Sequence, residues 1–204
     1  RRTKPESLII HSATEALAHA SEADMSRIAS PFTEMHSLKA VDLILKHLPT
    51  AVASRSLEAL EQLSIASVSA SMAFSNASLG AEQALAHSLG GQFDMQHGVI
   101  HPILLPSFMR FNLPFNAKKM AELCRVILGR RESSDENTAQ AGIKKLEDFF
   151  ASFNVPLRLG EIIPRQEQAT LAGISRMAVQ DACNLTNAKP ATWEEFLQII
   201  EEVW

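Results

Sequence analysis

Tyrosine is absent from this chain, and glycine and proline are scarce, at 8 and 9 of 204 residues. So few helix breakers leave room for long helices. The two cysteines, Cys124 and Cys183, lie far apart and form no CxxC. That excludes a disulfide framework and a thiolate metal cluster, and it suits a reducing, cytoplasmic setting. No apolar run reaches the ~18–20 residues of a membrane span. The basic start Arg1-Arg2-Thr3-Lys4 leads into a segment carrying Glu15, His19 and Glu22, so a signal peptide is not expected here. No basic stripe stands out against 23 acidic and 19 basic residues, so nucleic acid is not an expected partner. Neither GxGxxG nor GxxxxGK[ST] occurs, so no phosphate-binding loop is present. No alternating apolar–polar run is long enough for a sheet.

What remains is rich in Ala, Leu, Ser and Glu, with 46% hydrophobic residues, enough for a sizeable core. Apolar periodicity predicts an all-α domain of roughly eight to ten helices. The first starts near Ser7 and runs past Glu22. The second opens at Pro31 with Ser30 as N-cap and is expected to stop near Leu48, ahead of Pro49. The third runs from about Ser56 to Leu79; its small residues over 66–77 suit close helix approach. A short helix then ends at Gly90-Gly91. The next carries His97 and His101, with Pro102 and Pro106 predicting a kink or a late start. Helices over 116–128 and 139–153 follow, then an extended connection at 155–163, one or two helices over 166–183, and a last helix capped by Thr192. Phe108, Phe111 and Phe115 read as core. Glu82 reads as solvated, and His11, His36 and His47 as surface or helix-end histidines.

Three polar pairs stand four apart on apolar helices: Glu15 with His19, Gln83 with His87, and His97 with His101. That spacing puts both members of each pair on one helix face. Five of the six can bind a metal or move a proton, and Gln83 is the weaker donor. Three such pairs suggest one shared polar pocket.

The strings Glu15-Ala-Leu-Ala-His19, Gly80-Ala-Glu-Gln83-Ala-Leu-Ala-His87-Ser-Leu-Gly90 and His97-Gly98-Val-Ile-His101-Pro-Ile-Leu-Leu-Pro106 occur in order. Together they resemble the C-terminal helical domain of the iron-containing alcohol dehydrogenases, which is dehydroquinate synthase-like. That family reads Asp-Ala-Leu-x-His, Gly-x-x-His-Ala-x-Ala-His-x-Leu-Gly and His-Gly-x-x-Asn-Ala-x-Leu-Leu-Pro. The segment at Pro31 and the tail from Asp181 through Asn187 to Thr192 resemble the family as well.

The resemblance implies a single helical metal and substrate domain over residues 1–204. It also implies a nucleotide-binding domain that these residues lack, so the chain is expected to be a fragment. By position, the metal ligands for Fe²⁺ or Zn²⁺ are Glu15, His19, Gln83 and His97. His87 and His101 are the catalytic candidates. Glu15 stands where the family has Asp, Gln83 where it has His, and His101 where it has Asn. An amide oxygen is a poor partner for Fe²⁺ or Zn²⁺ beside imidazole.

The implied activity is hydride transfer between a small alcohol or aldehyde and NAD(P), with the nicotinamide bound through the missing domain; a homodimer is one possible assembly. A metal-free, maleylacetate reductase-like relative and a non-catalytic helical module are the competing expectations.

Overall fold

A computed structural model of the chain describes residues 5–204. The described residues form α1 (Glu6–Met25), α2 (Pro31–Ser54), α3 (Leu57–Ala77), α4 (Ala81–Phe93), α5 (His97–Leu128) and α6 (Asp135–Ala151). After a 3₁₀ turn at Leu159–Glu161 come α7 (Gln168–Gln180), α8 (Ala182–Thr186) and α9 (Trp193–Glu202). No strand occurs among them, in line with the all-α expectation. None of the helices is long and apolar enough to cross a membrane.

Two apolar cores divide the molecule. The first gathers Leu17 of α1, Ile44 and Leu48 of α2, Leu63 of α3, Leu123 of α5 and Phe150 of α6. The second gathers Leu85 of α4, Leu104 and Phe108 of α5, Leu171 of α7 and Phe196 of α9. The long α5 serves both. Caps fix several helix starts: Ser30 forms a capping box with Thr33, and Thr192 forms one with Glu195, each satisfying backbone N–H groups that a helix start leaves unpaired.

Three sequence expectations need correction. First, α2 does not stop before Pro49. It continues to Ser54 and ends at Arg55 in the left-handed region (φ 51°). Pro49 itself is exposed, so its ring is accommodated on the outer side of the helix. Second, Gly90 and Gly91 lie inside α4, which runs on to Phe93 before Asp94 turns it at φ 51°. Third, α5 passes through Pro102 and Pro106 and departs from helical geometry only at Asn116 (φ −150°, ψ 42°), two residues past Pro114. At Pro102 the lost partner is the Gly98 carbonyl. The Thr14 hydroxyl of α1 donates to that oxygen at 2.9 Å, so the helix stays intact.

That bond works because α1 and α5 nearly touch. A Cβ on Gly98 would lie 2.4 Å from the His11 carbonyl oxygen, so only glycine permits the approach. Gly142 does the same for α6 against Cys124, where a Cβ would come within 2.3 Å of the Cys124 Cβ. The α1–α5 approach sets the Glu15/His19 pair beside the His97/His101 pair. Cys124 is buried in the first core, as its apolar surroundings predicted. Phe108 is buried in the second core, whereas Phe115 is exposed and, with Phe111, faces the Lys189 ammonium.

Candidate metal and active site

Four imidazoles from three helices come together. The ring centres of His19 and His101 are 6.0 Å apart, those of His97 and His101 6.1 Å, and those of His87 and His97 5.3 Å. Glu15 is half-buried one turn before His19, and its carboxylate charge acts on both His97 and His101. The helical pairs therefore meet across α1, α4 and α5.

Burial keeps these rings uncharged. The His19 pKa falls to about 3 through burial, reinforced by the charges that His101, His97 and His87 would carry. His101, with no exposure at all, falls to about 4, again chiefly through burial. His97 is lowered for the same reason, with Glu15 opposing the shift. A neutral imidazole keeps the lone pair that a metal ligand needs.

His87 stands apart. Its side chain is 41% exposed, so a substrate can reach it. Its Nδ1 pairs with Asp181 Oδ2 at 2.7 Å, and its Nε2 lies 3.1 Å from the Gln83 amide nitrogen. The Gln83 amide donates, so His87 Nε2 is the acceptor and Nδ1 carries the proton toward Asp181. Asp181 also accepts from the Cys183 N–H at 2.8 Å. Burial pushes its carboxyl up, but these bonds outweigh it and hold the pKa below the usual range.

Beneath the histidines lies a layer of buried acid. Glu82 is fully buried and pairs with His101 Nδ1 at 2.8 Å, which corrects its reading as a solvated residue. Burial raises its pKa to about 8. Glu22 of α1 sits at the start of α4 and accepts the N–H of Glu82 at 2.9 Å and of Gln83 at 3.2 Å. The helix N-terminus favours that negative charge. Burial and the neighbouring Glu82 nevertheless hold the Glu22 carboxyl well above the usual range. Gly80 makes space for the arrangement: a Cβ there would stand 2.5 Å from Glu22 Oε1 and 2.7 Å from Asn187 Oδ1. Asn187 in turn exchanges amide bonds with Asn112 at 2.7 and 3.1 Å, tying the late loop to α5.

Residues 9–204 match the C-terminal part of the Fe-containing alcohol dehydrogenase family. This chain belongs to that family. It is 32% identical to the NAD-dependent methanol dehydrogenase of Bacillus methanolicus over 201 residues, which is 97% of this chain and 52% of the relative. It is 33% identical to the 1,3-propanediol dehydrogenase of Citrobacter freundii over 203 residues, covering 98% of this chain and 52% of that protein. The crystal structure of a 1,3-propanediol oxidoreductase superimposes on all of the chain with a TM-score of 0.93 at 32% identity, using 53% of its own length. The chain thus spans about half the length of these Fe-containing alcohol dehydrogenase relatives.

Fitness for a metal can be judged from the donors themselves. His97 Nε2 and His101 Nε2 are buried without any hydrogen-bond partner, as are Gln83 Oε1 and Glu82 Oε2. Buried nitrogens of this kind are normally satisfied. Unpartnered imidazole nitrogens beside a carboxylate suit Fe²⁺ or Zn²⁺. Among the described residues, a trio whose ligand atoms all fall within 4.8 Å of one another is His87, Asp181 and Cys183. There, however, the polar atoms are already partnered, and burial lifts the Cys183 thiol to about 12, away from the thiolate form. That trio orients His87 rather than offering free ligands. The groove of about 390 Å³ along Pro102, Pro106, Arg110 and Glu147 contains none of the histidines.

Sequence reasoning missed Glu22, Glu82 and Asp181 as members of the site. Only the tail motif beginning at Asp181 carried a signal for any of them.

Proposed function

We propose that this chain is the metal- and substrate-binding half of an NAD(P)-dependent alcohol dehydrogenase-like oxidoreductase. The reaction is hydride transfer between a small alcohol or aldehyde and a nicotinamide held by a partner N-terminal domain. The observation that carries the reading is the convergence of His19, His97 and His101, all lowered in pKa, with the exposed His87 beside them. In the family's arrangement the metal-holding positions are Glu15, His19, Gln83 and His97. When bound, the metal supplies Lewis acidity toward the alcohol oxygen.

The remaining roles belong to the chain's own side chains. His87 faces the reacting group and holds a proton at Nδ1 against Asp181, which fixes the ring's orientation and tautomer. The Gln83 amide steadies the opposite nitrogen. His101 has no exposed surface, so it acts on the site from behind rather than by touching substrate.

A second reading has one observation in its favour. Gln83 occupies a metal position, yet its amide is engaged with His87, as suits a metal-free reductase. Elemental analysis of the full-length protein, together with NAD(P)-linked oxidation of a series of short alcohols and diols, separates the two. Stoichiometric iron or zinc, with activity lost in His19→Ala, supports the first reading. Turnover by metal-free protein overturns it. No turnover with any nicotinamide leaves the non-catalytic module.

A further inference from the structure

Five helices open on a side chain of their own: Ser30, Ser56, Ser134, Asp181 and Thr192 each accept a backbone N–H two or three residues ahead. The helix that carries Gln83 and His87 does not. α4 opens on Gly80 and has no local side-chain cap. Its free N–H groups at Glu82 and Gln83 go instead to the two carboxylate oxygens of Glu22 on α1, at 2.9 and 3.2 Å. A side chain at position 80 would displace that carboxylate, because its Cβ would stand 2.5 Å from Glu22 Oε1. A cap that served stability alone would need no acceptor from another helix, since Ser, Asp or Asn at the N-cap supplies one locally.

We propose that Glu22 is a positioning residue for His87: by holding the start of α4 against α1, it sets the ring where it meets Asp181. The proposal rests on the reading of His87 as the proton carrier given above. Glu22 follows His19 by three residues on α1, and the second N–H that it holds belongs to Gln83, one turn before His87. One side chain therefore sets two of the polar pairs in register.

The same junction anchors the other partner. Thr186, which ends the short α8 that Asp181 opens, donates its hydroxyl to the carbonyl of Leu79, the residue before Gly80, at 2.7 Å. Asn187, held by Asn112 of α5, lies against Gly80 as well. Both ends of the His87–Asp181 bond are thus referred to the start of α4. His87 lies seven residues beyond Gly80. At 1.5 Å per residue that is an arm of about 10 Å, so a tilt of about 6° at the start moves the ring about 1 Å. A displacement of about 1 Å, caused far from the chemistry, is enough to lower a rate about 100-fold.

The test uses the full-length protein and Glu22→Gln, an isostere that keeps one acceptor oxygen but turns an amide NH₂ against the second backbone N–H. One readout is steady-state NAD(P)-linked oxidation of the short alcohols and diols used above. The other is the His87 tautomer, read from long-range ¹H–¹⁵N correlation spectra of histidine-labelled protein and assigned by the signals lost in His87→Asn. Wild-type His87 should show the Nδ1–H form. In Glu22→Gln, kcat should fall about 10–100-fold with KM within about 2-fold, and His87 should no longer hold that form alone. Gly80→Ala reaches the same contact from the other side and should reproduce both changes, which keeps the question decidable if Glu22→Gln does not fold. Ser30→Ala uncaps α2 and is the control: it should lower the urea midpoint and leave both readouts unmoved. Unchanged kcat and tautomer in Glu22→Gln, or the same losses in Ser30→Ala, would overturn the proposal and leave the oxidoreductase reading standing. A wild-type protein without turnover would overturn that reading, and the tautomer spectra would then decide the placement of His87 by themselves.

Discussion

The two ends of α5 solve opposite packing problems. Beyond the bend at Asn116, the helix turns Met120, Leu123, Cys124 and Ile127 into a dry core closed by α6, with Gly142 allowing near-contact. Before the bend, the same helix carries His97 and His101 against Glu82, with Glu22 behind. In the dry core, stability comes from apolar area and close fit. In the polar seam, groups that water would charge are kept neutral or paired at a cost in desolvation. The lesson is that α5 packs a core at both ends, while its first half adds, on another face, a polar seam that holds the histidines.

Substitutions can break or sharpen that contrast. The largest effect is expected in the dry core: Phe150→Ala should cost about 3–5 kcal/mol in urea unfolding, with the spread set by how far the cavity collapses. A loss below 1 kcal/mol would remove the distinction. Next comes Gly98→Ala, at the junction of the two regions. Its added methyl meets the His11 carbonyl and should cost about 1–3 kcal/mol. Because that contact also sets His97 against α1, the variant should lose metal affinity as well; loss of stability alone would show the seam to be independent of the crossing.

Asp24 gives a smaller, pH-dependent effect. Burial raises its pKa to about 7, with Lys119 opposing the shift and Glu34 and Glu122 assisting it. A folded-state pKa above the unfolded value means that the stabilising contribution is complete below about pH 3.8 and is lost as pH rises through about 7. Asp24→Asn should therefore gain stability relative to the wild type between pH 4 and pH 8. A constant difference across that range in urea titrations would contradict the shift. The smallest effect is at the surface: Lys144→Ala removes an exposed pair with Asp148 and should leave the unfolding midpoint unchanged.

The helical class, the caps at Ser30 and Thr192 and the shared face within each polar pair were legible because each depends on neighbours three or four residues away. The prolines misled because their cost depends on surroundings. Pro102 is tolerated through Thr14 on another helix, and Pro49 lies on the exposed side of α2. Glu82 looked like a surface residue because nothing local reveals that Glu22, sixty residues earlier, receives its backbone N–H. The Gly90-Gly91 pair looked like a stop, yet glycine only weakens a helix, and the packing of Leu85 and Leu89 carries α4 across it. His87 was visible as a candidate, whereas its partner Asp181 belongs to a distant segment and required the tertiary fold.

Asp181 follows His87 by 94 positions, and Thr186 beside it bonds to the Leu79 carbonyl and receives the Arg27 N–H. During synthesis the histidines of the first hundred residues emerge long before these restraints do. A nascent chain thus carries the ring at position 87 unoriented until the segment around Asp181 leaves the ribosome. Translation order by itself delays the assembled centre, and an early stop codon before that segment would yield helices in which His87 lacks its Asp181 partner.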